Sequence, residues 1–236
     1  MFYHYSDGLY RKAHQSVILI TAPSVDVISL ANVKTALGIT TTSQDGVLQA
    51  ALDAVVAQID PASGGWLGRA LRPQTWELRL SSFYEHRHCW DKWGHGAIEL
   101  PYPPLISITS IKYDDYSGTE RTLVANTDYR TIDIGSNGRQ AVAPLYNGSW
   151  PNARCDLGSV RIRFQAGYSN SPDVMPAAIP QAVALGVRAL VSTGSQNLYL
   201  TMDRVEGIGE KRYIANAGAA AVINAAIEGL LLGYRA

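Results

Sequence analysis

The hydrophobic period of this chain changes twice along its length, and that double switch limits the folds open to it. Leu48, Leu52, Val55 and Ile59 recur at helical spacing and form one apolar stripe. From Arg72 the period becomes two, with Trp76, Leu78 and Leu80 on one side and Glu77 and Arg79 on the other. The clearest strand comes last, where Val160, Ile162 and Phe164 alternate with Arg161, Arg163 and Gln165. After Pro172 and Pro176 the helical period returns through Val183, Val187, Leu190 and Val191. Helices, then strands with short connections and hairpin signals, then helices describe an α+β protein with an antiparallel sheet.

Local signals refine this order. Ser29 caps a short helix to Leu37, and Gly38 stops it. Thr42, Ser43 and Asp45 offer caps for the second helix, which Pro61, Gly64 and Gly65 end. Ile98 and Leu100 make a short partner strand. Ile106 and Ile108 share one register and Ile111 and Tyr113 the other, a slip that predicts a bulge or a strand buried on both faces. Asp114–Gly118 reads as a turn, Tyr129–Ile134 as a strand, and Asn137-Gly138 as a hairpin turn that needs positive φ. Pro180 suits the first turn of a helix that Gly194 stops. Asn197–Lys211 is polar, and a last helix spans Ala217–Tyr234 with Val222, Ile223, Ile227, Leu230 and Leu231 apolar. Met1–Ser24 has little period. It is either an arm that orders against a neighbour or a plain disordered terminus.

Charge and chemistry then narrow the function classes. The 236 residues carry 20 basic and 20 acidic side chains, so the basic excess that a dedicated nucleic-acid binder uses to neutralise phosphates is absent. The two cysteines, Cys89 and Cys155, read as reduced thiols rather than a disulfide framework. Pro23 and Asp26 interrupt the apolar run Val17–Ile20 before a secretory core develops, and no membrane span is expected. No phosphate loop, nucleophile elbow or His-Glu-x-x-His motif occurs, and no enzyme is expected. His86, His88, Cys89 and His95 carry the donor types that suit zinc. The competing reading makes that segment a hairpin tip whose Tyr84, Trp90 and Trp93 meet another protein; cofactors are expected to be none. Asp114, Asp115, Asp128 and Asp133 lie near predicted turns, where Asp bonds its local backbone.

Four stretches, in order, resemble the head–tail connector (adaptor) family of tailed bacteriophages and gene transfer agents. The first is the N-terminal helix pair followed by Gly68–Leu78, and the second is Ile98–Tyr113. The third comprises Asp128-Tyr129-Arg130, Gly148–Pro151 and Gly158–Tyr168. The fourth comprises Val205–Gly209 and Leu230–Arg235. The resemblance runs from about Val27 to Arg235, and the loop Tyr84–Gly96 and the arm before Val25 are additions to the family pattern. It implies an α+β fold with a helical core (N-terminal helix pair plus C-terminal helices) and an inserted antiparallel β region, and a structural particle protein in the virion neck, assembled in host cytoplasm. It also implies a homo-oligomeric ring, twelve-fold in this family, on the portal protein, with DNA passing through unbound and a tail or stopper protein beyond. A stopper or tail-completion ring protein is the alternative, and a metal-binding protein using His86–His95 a further one.

With that resemblance the chain divides into an arm (residues 1–26), a connector domain (27–200) and a C-terminal docking segment and helix (201–236). The connector domain holds helices over 29–62 and 177–194 and the β region over 72–168. Ile208, Gly209, Tyr213, Leu231, Tyr234 and Arg235 are the candidate portal or subunit contacts, although Leu231 and Tyr234 equally suit the core of the last helix. Tyr84, Trp90, Trp93, Asp115 and Tyr116 are the candidate tail-side contacts.

Overall fold

A computed structural model describes residues 15–84, 96–132, 140–169, 174–195, 202–205, 209–212 and 217–235. They form a mixed α+β protein of two units: Met1–Ala22 with Pro73–Gly167, and Pro23–Arg72 with Tyr168–Ala236. The first unit is built of strands and the second mostly of helices.

In the first unit the strands are β1 (Ser16–Thr21), β2 (Gln74–Leu80), β3 (Ile98–Leu100), β4 (Leu105–Asp114), β5 (Glu120–Leu123), β6 (Tyr129–Ile132), β7 (Gln140–Pro144) and β8 (Val160–Ala166). They make a five-stranded sheet in the order β1-β2-β8-β4-β5 and a three-stranded sheet in the order β3-β7-β6. Every pairing in both sheets is antiparallel. The period-two pattern explains the large sheet. Trp76 lies opposite Phe164, Leu78 opposite Ile162 and Leu80 opposite Val160, and all six are buried. Each such side chain contributes about 1.5–3 kcal/mol on leaving water. β4 slips its register against β8 between Leu105 and Ser107 and again between Ile108 and Ser110. These irregularities return Ile111 to the buried face opposite Ile162, as the slip in the apolar pattern predicts.

The sequence reading gave no strand to Ser16–Thr21. The structure pairs these residues with β2 of the same chain, from Ser16 opposite Arg79 to Thr21 opposite Thr75. Ile134, Asp133 and the Asn137-Gly138 turn lie outside the described residues.

The second unit contains α1 (Leu30–Leu37), α2 (Asp45–Ile59), α3 (Ala178–Ser195), a strand pair β9 (Met202–Val205) and β10 (Gly209–Arg212), and α4 (Ala217–Leu232). Ser29 Oγ accepts from Asn32 N at 3.3 Å, and Gly38 closes α1 with φ of 71°. α2 differs from expectation at its start. Its N-cap is Gln44, with no side-chain cap bond, and Asp45 instead accepts from Lys34 Nζ at 2.7 Å. Leu48, Leu52, Val55 and Ile59 all lie in a core shared with Val33, Leu67, Leu71, Tyr168, Ile179, Val183, Val187 and Leu231. Gly186 permits the close approach of α3 to α2, because a Cβ there would sit 2.9 Å from Val55 Cγ1. The stripe on α3 rises from Ile179 through Val183 to Val187, whereas Leu190, expected to continue it, is 43% exposed. The polar stretch after α3 holds the antiparallel pair β9–β10.

Candidate assembly surfaces

The polar face of the five-stranded sheet carries an ordered charge lattice. Glu77 on β2 lies opposite Arg163 on β8, and Arg79 opposite Arg161. Glu77 is only 4% exposed, yet its Oε2 accepts from Arg163 Nε at 3.1 Å and Nη2 at 2.6 Å, and its Oε1 accepts from Arg79 Nε at 2.8 Å. Burial pushes the Glu77 carboxyl up, and the hydrogen bonds from Arg163 and Arg79 outweigh it, so the group sits below its ordinary value. Arg161 donates to Asp114 through both terminal nitrogens, at 2.7 and 3.0 Å, and to Glu120 at 3.0 Å. The Arg161 bonds hold Asp114 low, and Asp114 in turn raises Arg161. Lys112 Nζ reaches Glu120 Oε1 at 2.7 Å. These carboxylates are paired with cations on neighbouring strands, which suits a rigid surface rather than proton transfer.

The turn between β4 and β5 is the best-defined of the expected tail-side contacts. Asp115 accepts from the backbone N–H groups of Ser117 and Thr119, both at 3.0 Å, from the Ser117 hydroxyl and from Arg121 Nε. The Ser117 hydroxyl is the largest of the influences holding its carboxyl well below the usual range. Asp115 therefore organises the turn, and Tyr116 is left exposed at its tip. Asp128 plays a similar local role, accepting from Val124 N at 2.7 Å.

Tyr84 stands where the chain leaves the described residues. It is half-buried, and its hydroxyl donates to the Trp150 carbonyl. Trp150 Nε1 donates to the Gly96 carbonyl, and its ring stacks on Phe83 with centroids 4.9 Å apart. Phe83 also meets Tyr113 edge-on at 5.7 Å. An aromatic clamp thus holds both ends of the segment between Tyr84 and Gly96. The sequence reading did not assign Phe83 and Trp150 to it, because neither lies on a periodic stripe. Trp90, Trp93, His86, His88, Cys89 and His95 lie outside the described residues. Among the described residues no three His, Cys, Asp or Glu side chains gather as a metal site. No helix among them is long and apolar enough to cross a membrane.

The expected portal contacts that lie among the described residues have different surroundings. Leu231 is fully buried in the helical core, the alternative weighed for it in the sequence, and is thereby taken up by internal packing. Tyr234 packs partly buried against the same core, and its carbonyl accepts from Arg69 Nε at 2.8 Å. Arg235 is exposed. Gly209 opens β10, while Ile208 and Tyr213 lie outside the described residues. The same unit has an open cleft of about 260 Å³ lined by residues including Trp66, Gly186, Leu190 and Ile227.

The mixed α+β fold is similar to that of chains solved in gene transfer agent particles. Across 93% of its length the chain is similar to 95% of a chain from the neck of an empty GTA particle solved with C6 symmetry, at 20% identity and a TM-score of 0.61. Across 91% it is similar to 94% of a chain from the virion of a native gene transfer agent (GTA) particle, at 20% identity and 0.57. A chain from the native GTA neck solved with C12 symmetry matches over 93% and 94%, at 18% identity and 0.53. Residues 27–122 match the model of the Phage gp6-like head-tail connector protein family, so the family resemblance read from the sequence is found independently in that region. No curated protein matches the chain.

Proposed function

We propose that this chain is a head–tail connector (adaptor) subunit, a structural component of the neck of a phage or phage-like particle and not an enzyme. Copies close into a ring beneath the portal through a heterologous interface, with twelve as the expected number. DNA passes through the ring without specific binding, and a tail or stopper protein covers the far side. The observation that carries this reading is the fold likeness to a neck chain over 93% of this chain and 95% of that one, joined to the family match over residues 27–122. Tyr116 and the clamped segment after Tyr84 are assigned to the tail side. The segment from Thr201 onward, with Ile208, Gly209, Tyr213, Tyr234 and Arg235, is assigned to the portal or the neighbouring subunit.

Electron microscopy of the purified protein, alone and mixed with portal, tests the proposal. Rings stacked coaxially on portal are the expected result. Binding to tail components but not to portal would make the chain a stopper instead. A monomer that never oligomerises in either sample would end the connector reading. Truncation after Thr201 should abolish joining to DNA-filled heads, and a truncated chain that still joins them would remove docking from that segment.

A further inference from the structure

Among the described residues the five-stranded sheet ends in two edge strands, β1 and β5, that are chemically unlike. Edge β5 is four residues long, begins Glu120-Arg121, and is tied down by ion pairs from Glu120 to Lys112 and Arg161. Such short, charged edges resist pairing with another chain. Edge β1 is the opposite. Its sequence Ser-Val-Ile-Leu-Ile-Thr has no charge and no proline, and none of its six residues is buried. Ile18 and Ile20 are 37% and 40% exposed. Among the described residues no second strand pairs with β1. An apolar edge of this kind is adhesive unless a strand covers it.

The same chain carries a strand pair in need of a sheet. β9 and β10 form a two-stranded sheet by themselves, with Arg204 opposite Glu210 and Asp203 opposite Lys211. Asp203, Arg204, Glu210, Lys211 and Arg212 are charged, five of its eight strand residues, so it has little apolar surface to bury. An isolated two-stranded hairpin is marginal in water and gains most from backbone pairing to a third strand. We infer that the β9–β10 pair of one copy adds to the β1 edge of the next, which extends the sheet across the subunit boundary. Each subunit supplies one edge and one strand pair, so head-to-tail use leaves no apolar edge open once a ring closes. This inference rests on the ring reading and names the contact that closes it.

Full-length protein with Cys89→Ser and Cys155→Ser provides the background for the test. One tagged batch carries Ile18→Cys, and a second batch carries a single cysteine scanned through Met202–Val205 and Gly209–Arg212. Opposed residues of antiparallel strands lie about 4.5–5.5 Å apart at Cα, within disulfide reach. Mixing and mild oxidation should give a heterodimer that peaks at one scanned position, and only contact between copies can produce it. Moving the β1 cysteine from residue 18 to 16, both in the regular part of the strand, should move the peak by two residues. Ile18→Lys with Ile20→Lys should abolish ring formation while β2 and β8 keep their amide protection. Rings that form without any such cross-link, or that survive the two lysines, would overturn the inference and leave the connector reading standing. Dominant Ile18→Cys homodimers would overturn it in favour of a twofold edge contact. Wild-type protein that forms no ring, alone or with portal, would instead overturn the connector reading, which the same micrographs report separately.

Discussion

Removing Arg163 should destabilise the sheet more than removing the buried carboxylate it serves. Glu77 is 4% exposed, whereas Arg79 and Arg163 are 43% and 42% exposed. Replacing Glu77 by Gln leaves two guanidinium groups that water can reach, and a neutral amide that still accepts one bond. The cost should be about 1 kcal/mol, the size of one ordinary hydrogen bond. Arg163→Ala acts on the other partner. It strips Glu77 Oε2 of donors at 3.1 and 2.6 Å and leaves Arg79 on Oε1 alone. A nearly buried charge then keeps half its partners, and the expected cost is about 2–3 kcal/mol, below the full penalty for isolating a buried ion. The double variant should cost less than the two single costs added, because Glu77→Gln removes the charge that Arg163→Ala strands. Native-state hydrogen exchange of β2 and β8 amides reads this locally and does not require the two units to unfold together.

The pH dependence carries the same sign argument. Glu77 titrates below its ordinary value of 4.5 in the folded protein, so its contribution is present above about pH 4.5 and is lost as pH falls through the folded value. In Arg163→Ala the burial that raises the carboxyl persists while its largest lowering partner is gone. The gap between wild type and Arg163→Ala should therefore be widest near pH 7 and narrow as Glu77 protonates. Equal losses for Glu77→Gln and Arg163→Ala at pH 7, or a gap that widens in acid, would refute the reasoning.

Two further perturbations probe the helical unit. Gly186→Ala places a methyl 2.9 Å from Val55 Cγ1 and 3.1 Å from Cγ2, where a stiff, buried β-branched side chain must yield. Overpacking of about 1–3 kcal/mol should exceed the ~1 kcal/mol of helix propensity that alanine adds, and adding Val55→Ala should recover much of it in denaturant titrations. Asp60, 3% exposed, accepts from Ala62 N at 2.8 Å and Leu71 N at 3.1 Å. Asp60→Ala should cost about 2–4 kcal/mol by leaving two backbone donors without that acceptor, seen as earlier exchange of the Ala62 and Leu71 amides.

What could be read from the sequence follows the range over which each force acts. Ser29, Gly38 and the α2 stripe were legible because caps and helical periodicity are local, and the β2 and β8 alternation because one buried face imposes period two. The β4 irregularity showed as a phase slip between Ile108 and Ile111, a local trace of a tertiary pairing. β1 was missed because the four-residue apolar run Val17–Ile20, flanked by polar sequence, does not announce its partner, and Glu77 is 59 residues away from Ile18 in number though opposite it in register. Leu190 was placed in the core by its spacing, yet α3 leans on α2 where Gly186 meets Val55, and the stripe beyond runs past that contact into an open cleft. Phe83 and Trp150 escaped for a different reason. A clamp made of a stacked ring and two backbone carbonyls has no spacing rule, since its members join across 67 residues through loop geometry alone. The surfaces assigned to assembly belong to the same long-range class. An exposed Tyr116 or an unburied β1 is visible only once the fold has decided what it covers, and neither has a motif that would mark it in the sequence.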